Sequence, residues 1–115
     1  MKQAGQIALM PFPFTNLAES KKRPVLLLRK MDNAYDDWLV CMISSQLRQL
    51  DKDLDWVLTE VDSEFSASGL KVSSVFRLSR IAVLDGSLLI GKLGEISKDR
   101  LRDLKGRLAG WIVEG

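Results

Sequence analysis

Residues 5–28 read Gly5-Gln-Ile-Ala-Leu-Met-Pro-Phe-Pro-Phe-Thr-Asn-Leu-Ala-Glu-Ser-Lys-Lys-Arg-Pro-Val-Leu-Leu-Leu28. Two short apolar runs lie in this stretch, and each meets turn or polar residues at its end, which is a strand pattern rather than a helical one. The pattern repeats along most of the chain. Gln6 to Met10, Pro24 to Arg29, Trp38 to Ser44, Trp56 to Thr59, Ser74 to Leu78, Arg80 to Leu84 and Leu88 to Ile90 all read as strands. Asp32-Asn33, Asp36-Asp37 and Asp85-Gly86 fall between them, and these residue types tolerate the positive φ of tight reversals. One segment differs: after Ser97, an expected N-cap, Leu101, Leu104, Leu108, Trp111 and Ile112 recur at spacings of three and four. The expected fold is mostly β (α+β), with this C-terminal helix closing a barrel or sheet.

At 115 residues, 46% hydrophobic and 28% charged, the chain has material for one core, and no linker or repeat divides it. A single domain over residues 1–115 is expected. A net charge of +2 is too mild to imply a nucleic-acid partner by itself, so the distribution of charge carries more weight. Asp51, Asp53, Asp55, Glu60, Asp62 and Glu64 oppose only Lys52, whereas Lys98, Arg100, Arg102, Lys105 and Arg107 oppose Asp99 and Asp103. An acidic and a basic sector are expected. The lone Cys41 sits in an apolar run and reads as a small core residue, which fits a reducing cytoplasm. No charged-then-apolar leader opens the sequence and no apolar run reaches the length of a bilayer span, so a cytoplasmic protein without a membrane partner is expected.

The absence of histidine removes Ser-His-Asp and Cys-His catalysis, and with one cysteine the usual zinc sites cannot form. Chemistry must then rest on Arg, Lys, carboxylates or hydroxyls, with no metal or cofactor expected. Gly86 to Leu93 follows phosphate-loop spacing, but Leu93 stands where a Ser or Thr would bind magnesium. Asp51, Asp53 and Asp55 alternate like calcium ligands, yet Trp56 occupies the place of the turn glycine. The simpler reading is a loop leading to a strand whose alternate carboxylates face water.

A constellation around Arg23 remains. A guanidinium stays charged at physiological pH, and its planar donors match a phosphodiester and the charge that develops on it during cleavage. Lys21 and Lys22 would add diffuse attraction, and Ser44-Ser45-Gln46 would lie near Arg23 if the two strands pair. A basic loop beside a solvated strand end is the bland alternative. Phe12 and Phe14 could stack on unpaired bases or simply anchor the core between prolines.

The ordered segments Gly5 to Leu28, Val40 to Gln46, Ser68-Gly69-Leu70, Ser79 to Asp85 and Ile90 to Gly94 resemble the MazF/PemK family of toxin endoribonucleases over nearly the whole chain. The resemblance implies a compact SH3-like β-barrel of MazF/CcdB type with a C-terminal helix, a homodimer, and metal-independent cleavage of single-stranded RNA. It also implies attack by the ribose 2′-hydroxyl to leave a 2′,3′-cyclic phosphate and a 5′-hydroxyl. Arg23 falls on the family's catalytic Arg, and Ser44 on its catalytic Thr, a change that keeps the hydroxyl and drops a methyl group. Phe12, Phe14, Lys21, Lys22, Ser45, Gln46 and Arg80 become expected RNA contacts, with Asp85 a looser counterpart of a family Asp. A cognate antitoxin is the implied partner, with DNA binding through the toxin–antitoxin complex. Two other readings stay open: a non-enzymatic CcdB-like gyrase poison acting through Trp111 to Glu114, and a silent nucleic-acid-binding module.

Overall fold

The computed structural model describes residues 2–12 and 21–115, and of Phe12 and Lys21 only the backbone. Six strands, β1 (Gln6–Phe12), β2 (Lys21–Lys30), β3 (Asp37–Ser44), β4 (Trp56–Leu58), β5 (Ser74–Asp85) and β6 (Gly91–Glu95), accompany a one-turn helix α1 (Phe65–Ser68) and the long α2 (Lys98–Glu114). The sheet order is β4-β5-β3-β2-β1-β6, every pairing is antiparallel, and the sheet curls into a half-barrel against α2. This is the mostly β architecture expected from the alternating runs.

Both faces of the central strands are apolar, and this is why Val25 to Leu28 reads as an unbroken hydrophobic run. On one face Ile7, Leu26, Leu28, Cys41, Ile43 and Phe76 pack with Leu104 and Leu108 of α2. On the other, Met10, Val25, Leu27, Trp38, Val40 and Met42 form a second layer with Leu84 and Leu89. Cys41 is fully buried, and that burial pushes its thiol up to about 12, so it is a core residue and not a nucleophile.

Four expectations are corrected. Residues 74–78 and 80–84 form one strand, because the register against β3 jumps from Cys41↔Ile81 to Met42↔Arg77 and leaves 78–80 as a bulge. The Asp55 carboxylate fills that gap, accepting from the Ser79 N–H at 3.0 Å and the Ser79 hydroxyl at 3.1 Å. Asp55 is therefore 4% exposed rather than water-facing. Gly86–Leu88 is a 3-10 turn capped by Asp85, whose carboxylate accepts from the Ser87 N–H, and strand geometry resumes only at Gly91. Among the described residues no non-glycine residue has positive φ, and Gly86 does not either; Asn33 and Asp36 work through side-chain bonds to Tyr35 and Trp38 instead.

Ser97 caps α2 as expected, accepting from the Arg100 N–H at 3.1 Å. The apolar stripe leaves the core after Leu108, with Trp111 and Ile112 50% and 59% exposed. Two cations of the basic sector fasten the helix. Arg100 pairs with Glu64 at 3.0 Å and lies over the Trp56 ring, and Arg107 donates to the Asp55 carbonyl.

Candidate active site

A cleft of about 360 Å³ opens where the ends of β1, β2 and β3 meet the segment 69–72 and β6. Its apolar lining comprises Leu9, Pro24, Ile43, Leu70, Val72 and Leu93, and its polar residues are Lys22, Arg23, Ser44, Ser45, Lys71 and Ser74. No carboxylate lines it among the described residues. Three cations, three serines and a set of apolar side chains sharing one cleft make a site for an anion attached to a flat or apolar group, as in a nucleotide.

Register explains how residues distant in sequence meet. Arg23 sits opposite Met10 of β1. The β2–β3 pairing runs through Val25↔Met42, and continuing it by two residues sets Arg23 opposite Ser44. The strands thus bring together the two residues the sequence nominated. Ser44 is 4% exposed, and its Oγ accepts from the Gln46 N–H at 3.1 Å, so the hydroxyl is fixed by the turn that follows β3.

The opposite wall is held by a close backbone crossing. Gly69 ends α1 with φ +71°, and a Cβ there would lie inside contact distance of the Leu93 carbonyl. A Cβ on Gly94 would collide with the carbonyls of Ala67 and Ser68. Only glycine at both positions lets α1 and β6 meet, and the crossing leads the chain into Leu70 and Lys71, which line the cleft with Arg23.

Of the expected RNA contacts, Lys22 and Ser45 line the cleft with Arg23 and Ser44. Gln46 and Arg80 do not, for Gln46 caps the 3-10 turn Leu47–Gln49 that follows β3 and Arg80 lies in the β5 bulge. Asp85 caps a turn after β5 and is also absent from the lining. Phe14 lies outside the described residues, as do the side chains of Phe12 and Lys21. Lys71 and Ser74 were missed as site residues, since the glycine crossing that positions this wall is visible only as two separate glycine-containing segments in the sequence.

Curled six-stranded sheets with a C-terminal helix of this kind define a structural class to which two solved proteins are similar. One is an endoribonuclease in complex with its cognate antitoxin from a mycobacterial species: TM-score 0.65, 15% identity, covering 96% of this chain and 93% of that one. The other is the Mycobacterium tuberculosis toxin MazF-mt6: TM-score 0.64, 17% identity, covering 91% and 93%. No curated protein matches the chain. Residues 3–112 match the PemK-like, MazF-like toxins of type II toxin–antitoxin systems, and the chain belongs to that family.

Proposed function

We propose that the protein is a metal-independent endoribonuclease toxin that cuts single-stranded RNA at the Arg23–Ser44 cleft. The observation that carries this reading is the convergence of Arg23, Lys22, Lys71 and Ser44 on one cleft with, among the described residues, no carboxylate to repel a phosphate. As the ribose O2′–P bond forms, the P–O5′ bond breaks, leaving a 2′,3′-cyclic phosphate and a 5′-hydroxyl. The proton lost by the 2′-hydroxyl is balanced by one gained at the 5′ oxygen, so no water enters this step. In this reading Arg23 binds the scissile phosphate, stabilises the charge growing on its oxygens and donates a proton to the leaving oxygen. Ser44 orients the same phosphate or the ribose, and Lys22 and Lys71 hold the strand by charge.

Family membership and the two structural neighbours, one of them solved with its cognate antitoxin, support the toxin side of the proposal and an antitoxin partner; in our reading that antitoxin covers the cleft. A homodimer belongs to the same reading. It is supported by apolar side chains left exposed on β5 and α2, among them Val83, Trp111, Ile112 and Val113. Among the described residues no helix is long and apolar enough to cross a membrane.

Incubating the purified protein in EDTA with a long unstructured RNA, then mapping ends, tests the reading. Fragments with 5′-hydroxyl and cyclic-phosphate ends are expected. Intact RNA over varied sequences, with inhibition of DNA gyrase instead, would replace it by the CcdB-like alternative.

A further inference from the structure

Four arginines are half-buried: Arg23, Arg77, Arg100 and Arg107. Two are accounted for by ion pairs, Arg100 with Glu64 and Arg107 with Asp103, and Arg23 lines the cleft. Arg77 has no carboxylate partner among the described residues. Its Nη1 reaches only the Gln49 Oε1, at a long 3.4 Å, and its Nε is buried with no hydrogen-bond partner. Folding thus partly desolvates a guanidinium and supplies no counter-charge, an expense that a structural arginine would be expected to avoid.

Its position shows what it could meet. Arg77 is opposite Met42 on β3, and Met42 is opposite Val25 on β2, so the three share one face of the sheet. Two residues along the same face lies the row of Met10, Arg23, Ser44 and Val75. With strands about 4.8 Å apart and two residues spanning about 6.8 Å, the Cα atoms of Arg23 and Arg77 are about 12 Å apart on a diagonal over β3. Two arginine side chains converging from that separation bracket a length within reach of a dinucleotide. Gln46, Arg48 and Gln49 follow β3 on the turn beside Arg77 and add donors, while the Asp55 carboxylate in the adjoining bulge is taken up by Ser79 and the Asp51 N–H and makes no ion pair with Arg77.

We propose that Arg77 grips a backbone phosphate of the single-stranded RNA next to the one held at Arg23, extending the site out of the cleft over β3. This rests on the RNA-cleaving reading. Arg77 is a binding and positioning residue here, and its contact is to phosphate, so it contributes to affinity for RNA of any sequence.

The test uses 2′-O-methyl RNA strands of varied sequence, which can bind but cannot be cut by 2′-hydroxyl attack. Their affinity is measured by fluorescence anisotropy between about 50 and 200 mM salt for wild type, Arg77→Gln and Arg77→Met. The methionine variant preserves apolar volume, so it stands in if the glutamine variant fails to fold. Loss of Arg77 is expected to weaken binding about tenfold at the lowest salt. The slope of log affinity against log salt should fall by about 0.7, the loss of one phosphate contact to a single strand. Arg77→Lys should restore most of that slope, and on cleavable RNA the Gln variant should raise KM while leaving kcat near wild type. Unchanged slope in both neutral variants, with wild type binding normally, overturns the proposal, as does retained RNA binding with lost antitoxin affinity, which would assign Arg77 to a protein interface. If wild type binds none of the strands, the RNA reading itself has failed and the role of Arg77 falls with it.

Discussion

Ser44 does two things at once. It is buried at the end of β3, its Oγ receives the Gln46 N–H, and it lines the cleft beside Arg23. Ser44→Ala therefore removes an acceptor as well as a hydroxyl at the cleft. We expect a loss of about 1 kcal/mol in stability and a fall of about tenfold or more in RNA cleavage. Ser44→Thr, which keeps the oxygen, should stay close to wild type. Urea unfolding and initial cleavage rates of the two variants check this, and an alanine variant as active as wild type would confine Ser44 to the fold. The strand ends that carry Arg23 and Ser44 were legible because each sits where an apolar run gives way to polar residues, and the strand register sets those ends side by side, while the roles of the two residues came from the family resemblance. Arg77 was not, since a single arginine between Phe76 and Leu78 looks like an ordinary outward-facing strand residue. Only the register opposite Met42 and the orphaned Nε set it apart.

At the scale of elements, the cleft depends on α1 crossing β6 through Gly69 and Gly94. Gly69→Ala places a Cβ against the Leu93 backbone and asks an L residue to hold φ +71°. The expected cost exceeds about 1 kcal/mol from the conformation alone, with cleavage reduced as Leu70 and Lys71 shift. Thermal unfolding and cleavage assays would show both. A variant with wild-type stability would mean that the crossing shifts to relieve the contact with the Leu93 backbone. The strands and α2 were readable because alternation and a three-four stripe are local signals. The join of residues 74–85 into one strand was hidden, because Ser79-Arg80 interrupts the pattern and the compensating partner, Asp55, comes from before β4. The short α1 and the 3-10 turn at Gly86–Leu88 carry no periodicity to detect.

For the whole molecule, α2 is held to the sheet by Leu104 and Leu108 and by Arg100, which pairs with Glu64 and lies over Trp56. Burial acts to raise the Glu64 pKa, but hydrogen bonds from Arg100 and Ser97 outweigh it and leave the value below 4.5. The Lys2 side chain, with the Trp38 N–H, likewise lowers Asp36 below 3.8. A carboxylate with a depressed folded pKa contributes stability that is fully present above its unfolded pKa and is lost as pH falls through the folded one. Stability should hold from neutral pH down to about 4.5 and then decline on further acidification. Glu64→Gln should flatten part of that decline, measured as denaturation midpoints against pH. An identical acid profile in the variant would remove Glu64 from the account. The helix itself was foreseeable, whereas its locking by Arg100 was not, because a cation within a basic sector does not announce a partner thirty-six residues earlier.

The central claim is that Arg23 is the group on which RNA cleavage depends, and cleavage rates of wild type and Arg23→Ala on the same unstructured RNA in EDTA test it most directly. The account predicts 5′-hydroxyl products from wild type and a rate lower by about 10²- to 10³-fold in the variant, with the fold intact. Equal rates from the two proteins would contradict it.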